Sequence, residues 1–150
     1  MGYIEKTFVI LKPDAVKRNL VGRILQRFED AGMQITGLHT AETVGRDFWD
    51  DFYRDLESRI PQEKYLSQIK FMSSGRVVFL FLKGDDAIHR VRKLIGKTDP
   101  QEAAPGTIRG DFGSSLPETL VHASDSQESL ERETELLRNW LRNWGILEVR

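Results

Sequence analysis

Strands and helices alternate along this 150-residue chain, which predicts an α/β or α+β sandwich. Two observations lead there. Residues 7–12 and 77–83 are short, β-branched and aromatic-rich runs, and the segments between and after them space their apolar residues as helices do. The length fits one domain over residues 1–150, with its core at about 5–140. No repeat or low-complexity linker divides it.

The first strand, residues 7–12, ends where Pro13-Asp14 turns the chain. Ile24, Leu25 and Phe28 keep helical spacing up to Gly32, a candidate C-cap. Residues 34–44 are a weaker strand candidate. Phe48, Phe52 and Leu56 mark a short helix, and Pro61 opens another that runs to about Met72, where Ser73-Ser74-Gly75 breaks it. Residues 77–83 are the strongest strand, followed over residues 85–95 by an amphipathic helix with acidic residues in its first turn. Across residues 96–117 periodicity vanishes while Gly, Pro, Asp and Thr accumulate. This predicts a loop of about twenty residues, a length that in a compact domain is either functional or disordered. A brief strand at residues 119–122 leads into a helix over residues 124–139. Trp140 and Trp144 repeat at a four-residue interval on one helical face, which reads as packing or an oligomer contact more readily than as a ligand cage.

Composition narrows the function. With 22 basic and 23 acidic residues the charge nearly cancels, so neither a specific nucleic acid nor a membrane surface is expected as a partner. Zero cysteines exclude disulfides, zinc–thiolate sites and thiol catalysis, and suit the cytoplasm. The longest apolar run, residues 77–82, falls far short of the roughly 20 residues that span a bilayer. Lys12 and Asp14 interrupt the apolar start before a signal-peptide core can form, and Lys6 stands where myristoylation wants Ser or Thr. Gly96-Lys97-Thr98 looks like the end of a P-loop, but Val91 occupies the position of its first glycine. The glycine-rich dinucleotide, zincin and α/β-hydrolase signatures are missing.

Among the three histidines, His39 lies in the weak strand and His89 on the polar side of the 85–95 helix. His122 differs: it ends a strand just before a helix whose start carries Asp125 and Glu128 at capping-box spacing. Its imidazole would stand beside a helix N-terminus, where backbone N–H groups attract anions. The helix supplies a second clue. At about 100° per residue, Leu130, Leu136, Leu137, Trp140 and Leu141 define an apolar face, and Glu133 falls within it while Glu128, Glu131, Arg132 and Glu135 lie opposite. A carboxylate facing the core needs a partner, either His122 or an arginine. Paired with His122, it would fix the tautomer and leave the other ring nitrogen as nucleophile. Arg92 borders the Ile88, Val91, Ile95 face, Arg109 sits among the glycines of the long loop, and Lys12 ends the first strand. A nucleophilic histidine, an orienting carboxylate and several cations are what transfer of a multiply charged phosphoryl group requires.

Four separated segments carry a family resemblance: TFVILKPDAV (residues 7–16), GKTDP (96–100), PGTIRGDF (105–112) and VHASDS (121–126). In order and spacing the chain resembles the nucleoside diphosphate kinases. The resemblance implies a ferredoxin-like βαββαβ core with an antiparallel sheet. It also implies ping-pong transfer of the γ-phosphate from a nucleoside triphosphate to a nucleoside diphosphate through a phosphohistidine, with Mg²⁺ held mainly by the nucleotide's phosphates. By position, His122 is then the nucleophile and Glu133 orients it with help from Ser124. Lys12 reaches the sugar hydroxyl and transferring phosphate, Tyr53 lines the site, and Arg92, Thr98 and Arg109 hold the phosphates. A homo-oligomer, a dimer-based tetramer or hexamer, is implied too, commonly through the 98–100 loop and the C-terminal tail.

The chain departs from the family pattern in places. Thr119 stands where the family usually has Asn, so a ribose or phosphate contact is expected to be lost or bridged by water, and reduced activity is expected rather than none. Residues 59–71 are a few residues longer than usual, which leaves Lys64 and Tyr65 as alternatives for the side chain that covers the base. Ala123 replaces a frequent Gly. The competing reading is a low-activity relative that serves as a nucleotide-binding or protein-interaction module.

Overall fold

The computed structural model describes residues 3–143, so Trp144 and the tail after it lie outside the described residues. Four strands form one antiparallel sheet: β1 (Ile4–Leu11), β2 (Gln34–Ala41), β3 (Val77–Asp85) and β4 (Val121–Ala123), in the order β2-β3-β1-β4. This is the ferredoxin-like arrangement expected, with helices inserted between β2 and β3. Helices α1 (Pro13–Lys17) and α2 (Val21–Asp30) follow β1. Helices α3 (Arg46–Phe52), α4 (Arg54–Glu57) and α5 (Gln62–Met72) join β2 to β3, and α6 (Ala87–Ile95) and α7 (Ile108–Phe112) join β3 to β4. Helix α8 (Gln127–Asn143) closes the described chain.

The central strands are apolar without alternation because both faces of the sheet are covered. Val9, Leu11, Val78, Leu80 and Leu82 pack beneath α2 and α6 with Ile24, Phe28, Val91 and Ile95. Phe8, Ile10, Val77 and Phe79 face the other way, against Phe48, Trp49, Ile69, Leu130 and Leu137 of α3, α5 and α8. Trp140 packs there, its ring 5.9 Å from that of Phe48 and 6.0 Å from that of Phe79, as a packing role requires.

Several boundaries differ from expectation for physical reasons. The helix expected from residue 85 begins at Ala87, because Asp85 still pairs with Ile4 and Asp86 takes a left-handed φ of 47°. Its first turn holds no acid of its own. Glu5 of β1 supplies the carboxylate instead, accepting the Ile88 N–H at 2.8 Å. The structureless loop of residues 96–117 contains a 3₁₀ turn, Pro100–Glu102, and α7, which Thr107 caps through the Gly110 N–H. Helix α7 escapes sequence detection because it is five residues long and includes Gly110, where a Cβ would run into the Ala104 carbonyl. The capping box at the start of α8 is made by Ser126 and Ser129, each backbone N–H bonded to the other's hydroxyl at 3.1 Å, and not by Asp125 and Glu128. Helix α8 accordingly starts at Gln127, after the expected residue 124. The last strand starts at Val121, after the expected residue 119, because Leu120 has φ 69°. Left-handed backbone costs a branched residue roughly 1–2 kcal/mol, so its surroundings must hold it there.

Candidate active site

β4 is an edge strand, and its pairing with β1 sets the site. Ser124 N–H bonds the Phe8 carbonyl at 3.0 Å and Lys12 N–H bonds the Leu120 carbonyl at 2.8 Å, so the even-numbered residues of this segment turn their backbone toward β1. The carbonyls of Thr119, Val121 and Ala123 face outward, and two arginines take all three. Arg109 donates from Nε to Thr119 at 3.0 Å and from Nη2 to Val121 at 2.5 Å, and also from Nη1 to Gly96 at 3.2 Å. Arg92 reaches from α6 to the Ala123 carbonyl at 3.0 Å, on the side of the sheet that its helical projection indicated.

The side chain of His122 stands between β4 and α8. Its Nε2 lies 3.0 Å from Glu133 Oε1, and the Ser124 hydroxyl donates to the same oxygen at 2.8 Å. Glu133 is 3% exposed on the buried face of α8, while Glu128, Glu131, Arg132 and Glu135 are exposed. Of the two partners open to it, His122 wins on distance, since Arg132 Nη2 stands 3.9 Å from Oε2. Phe52 sets its ring edge-on to the imidazole at 4.9 Å between centroids, and Tyr53 stands at 6.5 Å.

Lys12 is buried where β1 ends, and its Nζ donates to Thr119 Oγ1 at 2.8 Å. Burial, with Arg109 close by, lowers its pKa to about 7, and Asp14 opposes the fall. Burial and the charge of Arg92 likewise bring Arg109 down to about 10. Burial raises the Tyr53 phenol above its usual range. Cations that lose solvation in this way regain it from an anion, so the cluster is built to receive negative charge.

The structure thus gathers Lys12, Arg92, Arg109, Thr119, His122, Ser124 and Glu133 along β4 and the corner before it, in three hydrogen-bonded groups, with Tyr53 beside His122. Thr98 lies apart from these groups, exposed in the turn between α6 and the 3₁₀ turn. Of the two base-cover alternatives, Tyr65 is 2% exposed and donates its hydroxyl to Asp50 at 2.9 Å, whereas Lys64 is exposed. Sequence reasoning missed Asp14 and Phe52. The i, i+4 spacing of Phe48 and Phe52 signalled a buried face without signalling what else it would touch.

The family model for nucleoside diphosphate kinase matches residues 5–139. The chain belongs to the nucleoside diphosphate kinase family. It is 48% identical over 132 residues to the nucleoside diphosphate kinase of Methanocaldococcus jannaschii, covering 88% of this chain and 91% of the relative. To that of Methanococcus maripaludis it is 49% identical over 133 residues, covering 89% and 97%. Among solved structures, it resembles the Borrelia burgdorferi nucleoside diphosphate kinase, a transition-state mimic with bound vanadate and ADP. There the TM-score is 0.84 at 32% identity, over 98% of this chain and 92% of that one. The Halobacterium salinarum enzyme in complex with CDP gives a TM-score of 0.82 at 38% identity, covering 89% and 87%. The enzyme class follows: the chain is a nucleotide phosphotransferase of this kinase family.

The candidate site lies away from a large groove on the surface. That groove, about 940 Å³ between β2 and α8, is lined by Leu38, Phe81, Leu130 and Arg138 among others and includes none of the site residues. No described helix is long and apolar enough to cross a membrane.

Proposed function

We infer that this nucleoside diphosphate kinase works by a ping-pong mechanism through phospho-His122. The observation that carries the reading is the 3.0 Å bond between His122 Nε2 and the buried Glu133 carboxylate. With Nε2–H held by Glu133, the tautomer is fixed and the lone pair of Nδ1 faces the incoming phosphorus. Nδ1 attacks the γ-phosphorus of a Mg²⁺–nucleoside triphosphate. The N–P bond forms as the bond to the β-phosphate oxygen breaks, and the diphosphate leaves. A second diphosphate then reverses these steps, its terminal oxygen displacing Nδ1. Glu133 stabilises the positive charge that develops on the imidazole, and Ser124 holds Glu133 in place.

Lys12, Arg92 and Arg109 supply the positive field for the phosphates, with Thr98 and Tyr53 at its margin. Arg109 keeps its guanidinium rigid by bonding three carbonyls, which leaves two of its five N–H donors for phosphate. Among the described residues no three His, Cys, Asp or Glu side chains are grouped to hold a metal. That donor set fits a Mg²⁺ brought in by the nucleotide and held by its phosphates, which would supply charge neutralisation for the departing diphosphate. Exposed Lys64 is the candidate to lie over the base, a loose contact consistent with broad base tolerance. Oligomeric assembly and a cytoplasmic location are part of the same reading and rest on the family relationship.

The test incubates purified protein with γ-labelled ATP and Mg²⁺, then adds unlabelled diphosphate. The expected result is acid-labile, base-stable label on the protein that chases onto the diphosphate, and no label on His122→Gly. Labelling of that variant would sink the mechanism. Label that never chases would favour a nucleotide-binding module over a transferase.

A further inference from the structure

We propose that Asp14 is a positioning residue of this site: its buried carboxylate fixes the Thr119–Leu120 corner that leads into His122 and supplies the counter-charge for Lys12 and Arg109. The proposal rests on the phosphoryl-transfer reading above.

The geometry starts at Leu120, whose left-handed φ of 69° has to be imposed from outside. Both of its backbone groups are held from the end of β1. The carbonyl accepts Lys12 N–H at 2.8 Å, and its N–H donates to Asp14 Oδ2 at 3.1 Å. Thr119, one residue earlier, receives Lys12 on its hydroxyl and Arg109 on its carbonyl. Lys12, Asp14 and Arg109 therefore grip residues 119–121 together, and His122 is next in the chain. Without the Asp14 bond the Leu120 N–H would be left unsatisfied beneath the site.

A role as a simple turn acceptor does not account for the rest of the side chain. Asp14 is 4% exposed, and its second oxygen, Oδ1, is shut off from solvent without a full hydrogen bond among the described residues. A carboxylate in that position is tolerated when positive charge surrounds it. Burial pushes the Asp14 carboxyl up, the Lys12 charge and the Leu120 N–H oppose that rise, and Asp14 in turn supports the charge on Arg109. Arg92 and Tyr53 act in turn on Arg109. Outside the site, Lys17, Arg76 and Glu118 share a shallow cleft with Asp14. The sign follows from these neighbours. Arg109 pushes Lys12 toward its neutral form and Asp14 pulls it back, so loss of the Asp14 charge makes Lys12 neutral at a lower pH.

Asp14→Asn keeps an acceptor for Leu120 N–H and removes only the charge. Its kcat/KM is measured against pH beside the unmutated enzyme. Each unit of Lys12 pKa is about tenfold in charged fraction on the alkaline side, so the variant should fall progressively further behind as pH rises past about 7, by several-fold at about pH 8.5, and lie closest to the unmutated enzyme at about pH 6. A profile of unchanged shape, or a loss equal at every pH, overturns the proposal. An inactive unmutated protein would instead defeat the transfer reading itself. Should Asp14→Asn fail to fold, ¹³C NMR of the unmutated protein decides: an ionised Asp14 side chain at about pH 7 is expected, and a protonated one overturns the proposal.

Discussion

Thr119 departs from the family pattern within the proposed site. Its hydroxyl accepts from Lys12 at 2.8 Å, which uses one of the three ammonium donors and leaves the others for phosphate. An amide in its place still accepts from Lys12 and adds N–H donors for the nucleotide. Thr119→Asn should therefore keep or raise kcat/KM, and steady-state kinetics showing a large loss would mean that the threonine belongs to a rearranged site. At this scale the sequence revealed the groups that break a pattern. Glu133 stood out as a carboxylate on an apolar helical face, and His122 as an imidazole between strand and helix. Asp14 did not stand out, because its burial depends on a corner more than a hundred residues away, formed only when β4 pairs with β1. Tyr65 was equally opaque: only the fold seats it against α3, where burial and Asp50 push its phenol up to about 12.

Among the elements, α7 shows how a short helix is kept in place. Five residues cannot hold a helix alone, and α2 holds this one from outside. Arg27 bonds Asp111 at 2.8 Å and the Gly106 carbonyl at 3.2 Å, and lies over the Phe112 ring at 4.9 Å. Since Arg109 belongs to α7, Arg27→Ala should loosen the proposed phosphate site without touching the proposed nucleophile, His122. The expected outcome is a KM raised about three- to tenfold with kcat nearly unchanged. A proportional fall in kcat with KM constant would contradict it. Long strands buried on both faces, β1 and β3, were legible as continuous apolar runs. Helices α1 and α7 were not, because at five residues they show less than two turns of periodicity, and the one helix expected through Phe48, Phe52 and Leu56 is two, α3 and α4, parted at Tyr53. The boundary errors at α6 and α8 have a similar source, since Glu5 caps α6 from another element and the serine box at α8 lies one residue beyond the acidic one.

For the whole molecule, the buried cation links folding to pH. Folded Lys12 has its pKa near 7, against 10.5 for the ordinary side chain. Between those values the unfolded chain binds more protons than the folded one, so this group makes stability rise as pH increases from about 7 toward 10. Burial raises the Tyr53 and Tyr65 phenols, so they act oppositely and erode stability only as pH climbs past about 10. The melting temperature of the nucleotide-free protein should therefore climb across that interval, and Lys12→Met should flatten the climb. A steeper climb in the variant would reverse the assignment. On the acid side Asp111 and Asp125 sit below the ordinary carboxylate value, so their contribution is present above it and disappears as pH falls through their folded values.

The two arginines on β4 have a consequence unrelated to phosphate. A three-residue strand at the border of a sheet exposes carbonyls that another chain could adopt as a template for cross-chain β-pairing, the first step toward aggregates. Here Arg109 and Arg92 occupy those carbonyls at Thr119, Val121 and Ala123. The side chains proposed to hold the nucleotide's phosphates thereby also blunt the edge against pairing with another chain.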